Sequence, residues 1–91
     1  MSRVLISLPR LLEPAVGSVR KAEVEASNVA EAIDALLVKH PTLVVHLFNE
    51  QGELRPHVLC FVNGSQTRLQ DRSSALTDGA EITFLQAVSG G

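Results

Sequence analysis

The stretch Asn28-Val29-Ala30-Glu31-Ala32-Ile33-Asp34-Ala35-Leu36-Leu37-Val38-Lys39-His40-Pro41 decides the fold, because it is the one long segment with a helical period. Asn28 at the N-cap and Glu31 three residues on form a capping box, in which side-chain oxygens answer amides that the first helical turn leaves orphaned. Val29, Ile33, Leu36 and Leu37 recur at i, i+4, i+7 and i+8 as one apolar stripe, whereas Glu31, Asp34 and Lys39 lie off it. Pro41 stops the helix near His40. A single amphipathic helix needs a sheet to cover its stripe, and the flanking segments read as strands.

Upstream, Arg3 to Leu8 is β-branched and apolar, with Val4, Ile6 and Leu8 on one face, and Pro9 ends it by removing a ladder donor. Pro9, Pro14 and Gly17 punctuate a loop whose Leu11 and Leu12 are expected to tuck under the sheet. Val19 to Glu25 alternates, Ala22 and Val24 inward and charges outward, as the second strand of an antiparallel hairpin does. Downstream, Thr42 to Phe48 reads as a short second helix or turn before Asn49-Glu50-Gln51-Gly52. Val58-Leu59-Cys60-Phe61-Val62 is a continuous apolar run, expected to be a strand buried on both faces and closed by the tight turn Asn63-Gly64. Thr67 to Leu69 is a short edge strand, and Asp71 to Leu76 a polar connection with Ala75 and Leu76 plugging the core. Asp78-Gly79 turns into the last strand, Ala80 to Leu85. The class is α+β, a mixed sheet packed on one main helix with first and last strands adjacent.

The final stretch, Ala87-Val88-Ser89-Gly90-Gly91, carries the functional reading. Two residues without side chains let a backbone enter a channel too narrow for a Cβ. No charged side chain follows Glu81, so the formal charge expected there is a Gly91 carboxylate. As an anion it is a poor electrophile, and chemistry at Gly91 requires prior activation, most naturally adenylation by an ATP-using partner.

With 91 residues, 45% hydrophobic and 20% charged, the chain is expected to be one domain over 1–91 with a flexible tail at 87–91. A net charge of −2 with scattered Lys and Arg argues against nucleic acid and acidic membrane surfaces. The apolar stretch after Met1-Ser2-Arg3 is too short for a secretory or membrane segment, so a cytoplasmic address is expected. Cys60, the one cysteine, lies in an apolar run and reads as a core residue rather than a sulfur-bearing one. His40, His46 and His57 form no zinc-type spacing. There is no catalytic triad order and no Gly-rich phosphate loop, which argues for a protein acted upon rather than an enzyme, with no catalytic residues, metal or bound cofactor of its own.

Taken together, Arg3 to Leu8, the helix from Asn28, the strand ending Val62-Asn63-Gly64, the Asp78-Gly79 turn, the strand Glu81 to Leu85 and the Ala87 to Gly91 ending resemble the ThiS/MoaD sulfur-carrier family. The resemblance covers nearly the whole chain and implies a ubiquitin-like β-grasp fold. It implies that a ubiquitin-activating-like adenylyltransferase, using MgATP, adenylates Gly91. A persulfide or sulfide then leaves a thiocarboxylate there, while Gly90, Ser89, Val88 and Ala87 are recognised as the tail. Arg55 to Gly64 is most similar to CysO-type carriers, which implies delivery to a cysteine synthase. The Val88-Ser89-Gly90-Gly91 ending also occurs in molybdopterin synthase small subunits, although Gln86-Ala87 stands where those usually have Pro-Pro. A large subunit of molybdopterin synthase is thus an alternative acceptor. A thiamine-thiazole carrier and a lysine-linked modifier are further alternatives.

Overall fold

The computed structural model describes residues 2–8, 21–69 and 71–86. Five strands, β1 (Ser2–Ser7), β2 (Lys21–Ala26), β3 (Val58–Val62), β4 (Ser65–Thr67) and β5 (Ala80–Gln86), form one sheet in the order β2-β1-β5-β3-β4. β1 pairs antiparallel with β2 and parallel with β5, and β3 is antiparallel to both β5 and β4. The first and last strands are neighbours, as the sequence predicts.

The main helix, Val29–Lys39, crosses one face of this sheet. Asn28 Oδ1 accepts from the Glu31 amide at 2.8 Å while Glu31 Oε1 accepts from the Ser27 amide at 2.7 Å, so both arms of the capping box are formed. Val29, Ala32, Ile33 and Leu36 are buried and Leu37 is half-buried, which places the predicted stripe on the sheet. Val4, Ile6, Val24, Val58, Cys60, Ile82 and Phe84 meet it from the strands, each at most 4% exposed. Removing this apolar surface from water is the main term favouring the fold. Beyond the helix the chain makes a 3-10 turn, Pro41–Leu43, and a short helix, Val44–Leu47, which is the second helical element expected there.

Three sequence expectations need correction. β3 is not buried on both faces: Val58 and Cys60 are fully covered, but Leu59 and Phe61 on the alternate face are only half-covered. The edge strand lies at Ser65–Thr67 rather than Thr67 to Leu69, because Asn63 (φ 50) and Gly64 (φ 85) form a two-residue turn that starts the return strand at once. Leu69 instead turns inward in the left-handed region, φ 59, and is buried. Leu76 plugs the core, but Ala75 is exposed, since adjacent residues of an extended segment point to opposite sides. The expected positions of Leu11, Leu12 and Val19 lie outside the described residues, as does the tail 87–91.

Candidate functional site: the end of the central strand and the sheet face beside it

β5 is the middle strand of the sheet and the segment from which the tail departs. Its start is clamped to β1: the Arg3 amide donates to Asp78 Oδ1 at 2.8 Å and the Gly79 amide to the Arg3 carbonyl at 2.9 Å. Gly79 has φ 87, a conformation L-residues with a Cβ rarely adopt, which is the physical need for the Asp-Gly turn. On the other flank, Asn63 imitates a strand residue, its amide donating to the Glu81 carbonyl at 2.8 Å and its Oδ1 accepting from the Glu81 amide at 2.9 Å. The far end of β5 is held through the Val58↔Gln86 and Leu59↔Leu85 pairs. Beneath them Phe84 meets Phe48 edge-on, with centroids 6.4 Å apart and planes at 83°. Such aromatic pairs contribute about 0.5–1.5 kcal/mol beyond area burial. β5 is therefore held by β1 as far as Thr83 and by β3 up to Gln86, the last described residue before the tail.

The face of the sheet turned away from the helix is apolar where the tail departs. Leu85 is 45% exposed and stands opposite Leu59, with Phe61 opposite Thr83 next along the ladder. Farther across, Leu5 pairs with Glu81 and Glu23, so the apolar patch grades into charge towards β2. The sequence expectation of a doubly buried β3 leaves no room for this patch, yet its signal is there: Leu59 and Phe61 alternate with Val58 and Cys60 along β3. An exposed apolar cluster on a small protein marks a surface that is covered in use.

Gln86 ends β5 with its Oε1 buried and without a hydrogen-bond partner. Cys60 is wholly buried, and burial pushes its thiol up to about 12 against the opposing charge of the Arg72 guanidinium. A thiol held protonated is neither nucleophile nor metal ligand at neutral pH, in keeping with its reading as a core residue. His46 and His57 are exposed and His40 is half-buried. Among the described residues, no group of three or more His, Cys, Asp or Glu is arranged to hold a metal ion, and no helix is long and apolar enough to cross a membrane.

A mixed five-stranded sheet grasping one helix, with its central strand running towards a Gly-Gly tail, defines the class: a ubiquitin-like β-grasp carrier or modifier. Within that class, residues 8–91 match the model of the ThiS family, and the chain belongs to it. Small archaeal modifier protein 1 of Haloferax volcanii is 35% identical over 65 residues, 71% of each chain. A crystal structure of that modifier superposes with a TM-score of 0.81 at 30% identity, covering 99% of this chain and 100% of the other. The chain is similar in the same degree to the Amycolatopsis orientalis BexX/CysO complex, with a TM-score of 0.81 at 28% identity over 97% of this chain and 99% of that one. Mycobacterium tuberculosis CysO gives a TM-score of 0.79 at 25% identity, over 93% and 99%.

Proposed function

We propose that this protein carries sulfur as a thiocarboxylate on Gly91 and delivers it to a biosynthetic acceptor, a cysteine-synthase type of enzyme being favoured. The observation that carries the reading is the pairing of a rigidly held β5 with an apolar face at its exit, five residues before Gly91. A ubiquitin-activating-like adenylyltransferase docks on Leu59, Phe61 and Leu85, and Ala87, Val88, Ser89 and Gly90 lead Gly91 into its active site. From Ala87 to Gly91 a fully extended chain reaches roughly 17 Å, enough to bridge a docking face and a recessed site. In the first step a Gly91 carboxylate oxygen attacks the α-phosphorus of MgATP and pyrophosphate leaves. In the second, hydrosulfide attacks the acyl carbon, AMP leaves with the C–O bonding pair, and one proton is released, so the product is a thiocarboxylate. Tethering keeps the sulfur nucleophile at high local concentration for the acceptor. Similarity to two CysO structures supports the cysteine-type acceptor over the large subunit of molybdopterin synthase.

A specific observation favours a second reading. The relative at 35% identity is named a modifier, and an activated Gly91 acyl group attacked by a lysine amine would give an isopeptide instead. Isopeptide-linked adducts in cells separate this case from a carrier.

The test uses the purified protein with its activating enzyme, MgATP and sulfide. Intact mass should rise by the replacement of one oxygen by sulfur, and fragmentation should place the change at Gly91. Deleting Gly91, or placing a bulky residue at Gly90, should abolish loading with an unchanged circular dichroism spectrum. Sulfur acquired and delivered by a folded variant lacking Gly91 would overturn the proposal.

A further inference from the structure

On the far flank of β3 from β5, residues 51–54 together with Arg68, Leu69 and Arg72 line an open groove of about 520 Å³. Its walls include Gly52, Glu53, Leu54, Arg68, Leu69 and Arg72. Arg72 is built in rather than draped over the surface. Its Nη2 donates to the Gly52 carbonyl at 2.6 Å and its Nε to the Leu69 carbonyl at 3.1 Å, and the guanidinium lies 5.1 Å from the Phe48 ring centre. Those contacts use two of the five N–H donors a guanidinium carries. Leu69, whose carbonyl takes one of them, sits at φ 59, a conformation that costs a branched side chain energy and clusters at functional positions.

The charges of the groove are not balanced internally. Among the described residues the ion pair is Arg3 with Glu23, so neither Arg68 nor Arg72 has a carboxylate in salt-bridge range. The acids nearby are turned to neutral partners: Glu53 Oε1 accepts from Asn49 Nδ2 at 3.3 Å, and Asp71 Oδ1 accepts from the Ser73 hydroxyl at 2.6 Å and amide at 3.0 Å. Two guanidinium groups and one carboxylate leave the lining one positive charge in excess. That excess favours an anionic partner. A planar carboxylate can accept two parallel N–H bonds from a guanidinium fork, and an extended acidic segment presents such a group at the end of a side chain.

We propose that this groove is a docking site for a carboxylate side chain on an extended acidic segment of a partner protein, held between Arg68 and Arg72. The site lies at the tail end of the sheet. Thr67 pairs with Cys60, two residues from the Val58↔Gln86 pair, and the groove is two strand spacings, roughly 10 Å, across from β5. A partner engaging the tail can reach it with a neighbouring segment. The contact is independent of what the tail carries, so its test reads binding rather than loading.

The full chain, labelled with ¹⁵N, is titrated with a capped synthetic peptide of alternating glutamate and glycine, with its glutamine counterpart, and with inorganic phosphate. Saturable shifts confined to amides 51–54 and 67–72 and to the Arg68 and Arg72 Nε–H signals are expected with the glutamate peptide alone. Arg68→Gln, at a side chain with no hydrogen bond or ion pair among the described residues, should weaken that binding at least about fivefold and leave the remaining spectrum in place. Arg72→Lys keeps the charge but not the fork, and should weaken it further. The inference is overturned if the glutamine peptide binds as well or if Arg3 and Arg55 respond equally. It is also overturned if phosphate saturates the same amides at lower concentration, or if Arg68→Gln changes nothing.

Discussion

Replacing Cys60 by alanine separates a core role from a sulfur-bearing one. The side chain has no solvent exposure and lies between Phe84 on β5 and Thr67 on β4 in the ladder register. Deleting Sγ loses a methylene-sized transfer term of about 0.8 kcal/mol. A void of about 20 Å³ adds about 0.5 kcal/mol. The variant should therefore be less stable by about 1–1.5 kcal/mol, a fall in Tm of several degrees for a domain this small. The thiol gives the experiment a second axis. Its folded pKa is raised from 9.0 to about 12 by burial, so the stability it contributes is fully present below pH 9 and is lost as pH rises towards 12. The unfolded thiol ionises in that window and the folded one does not, which lowers wild-type stability by about 1.4 kcal/mol per pH unit. Alanine has no such slope. The chain contains no tyrosine, and both proteins share the same lysines, so other titrations cancel in the difference. Urea unfolding from pH 7 to 11 should show the gap between the two proteins closing near pH 10 and then reversing. A gap that stays constant with pH would show the thiol is not shielded. Loss of sulfur loading by a folded Cys60→Ala protein would refute the core assignment altogether.

Leu85→Ser should leave the circular dichroism spectrum unchanged and lower loading kcat/KM by about tenfold, the scale of a central contact in an interface; undiminished loading would remove the apolar face from the docking surface. Asn28→Ala should cost about 1 kcal/mol in urea unfolding, and Asn28→Asp should recover most of it, because an oxygen acceptor for the Glu31 amide returns. Gln86→Leu should raise stability by about 1 kcal/mol, since it removes a buried acceptor with no partner, and a less stable variant would mean Oε1 is satisfied in solution.

The parts of the fold legible in the sequence are those set by local chemistry. The capping box, the Asp78-Gly79 turn and the i, i+4 stripe each need only a few neighbouring residues, and each is formed. β3 is ambiguous in the sequence because Val58 to Val62 is apolar at every position, and a strand buried on both faces reads the same as one whose outer face is only half-covered. The displacement of the edge strand and the turn of Leu69 come from a competition the sequence does not display. A two-residue turn fixes the return register, and the strand then ends where Leu69 can be buried. The groove at Arg72 was invisible for a similar reason, as its partners are carbonyls of Gly52 and Leu69 brought together by the fold. The reading of Gly90 and Gly91 rests on the chemistry of a bare backbone and on family membership, because both residues lie outside those described.

The position of β5 also has a mechanical consequence. β5 is gripped by β1 on one side and by β3 on the other, and it runs parallel to β1. A pull directed along the tail therefore acts parallel to both ladders. Every hydrogen bond between β5 and its two neighbours shares the load in shear, and none is peeled open ahead of the next. An edge strand in a hairpin pulled sideways would instead unzip one bond at a time. A partner that grips the tail and draws it into a narrow channel can thus exert force on the last strand without unravelling the domain that carries it.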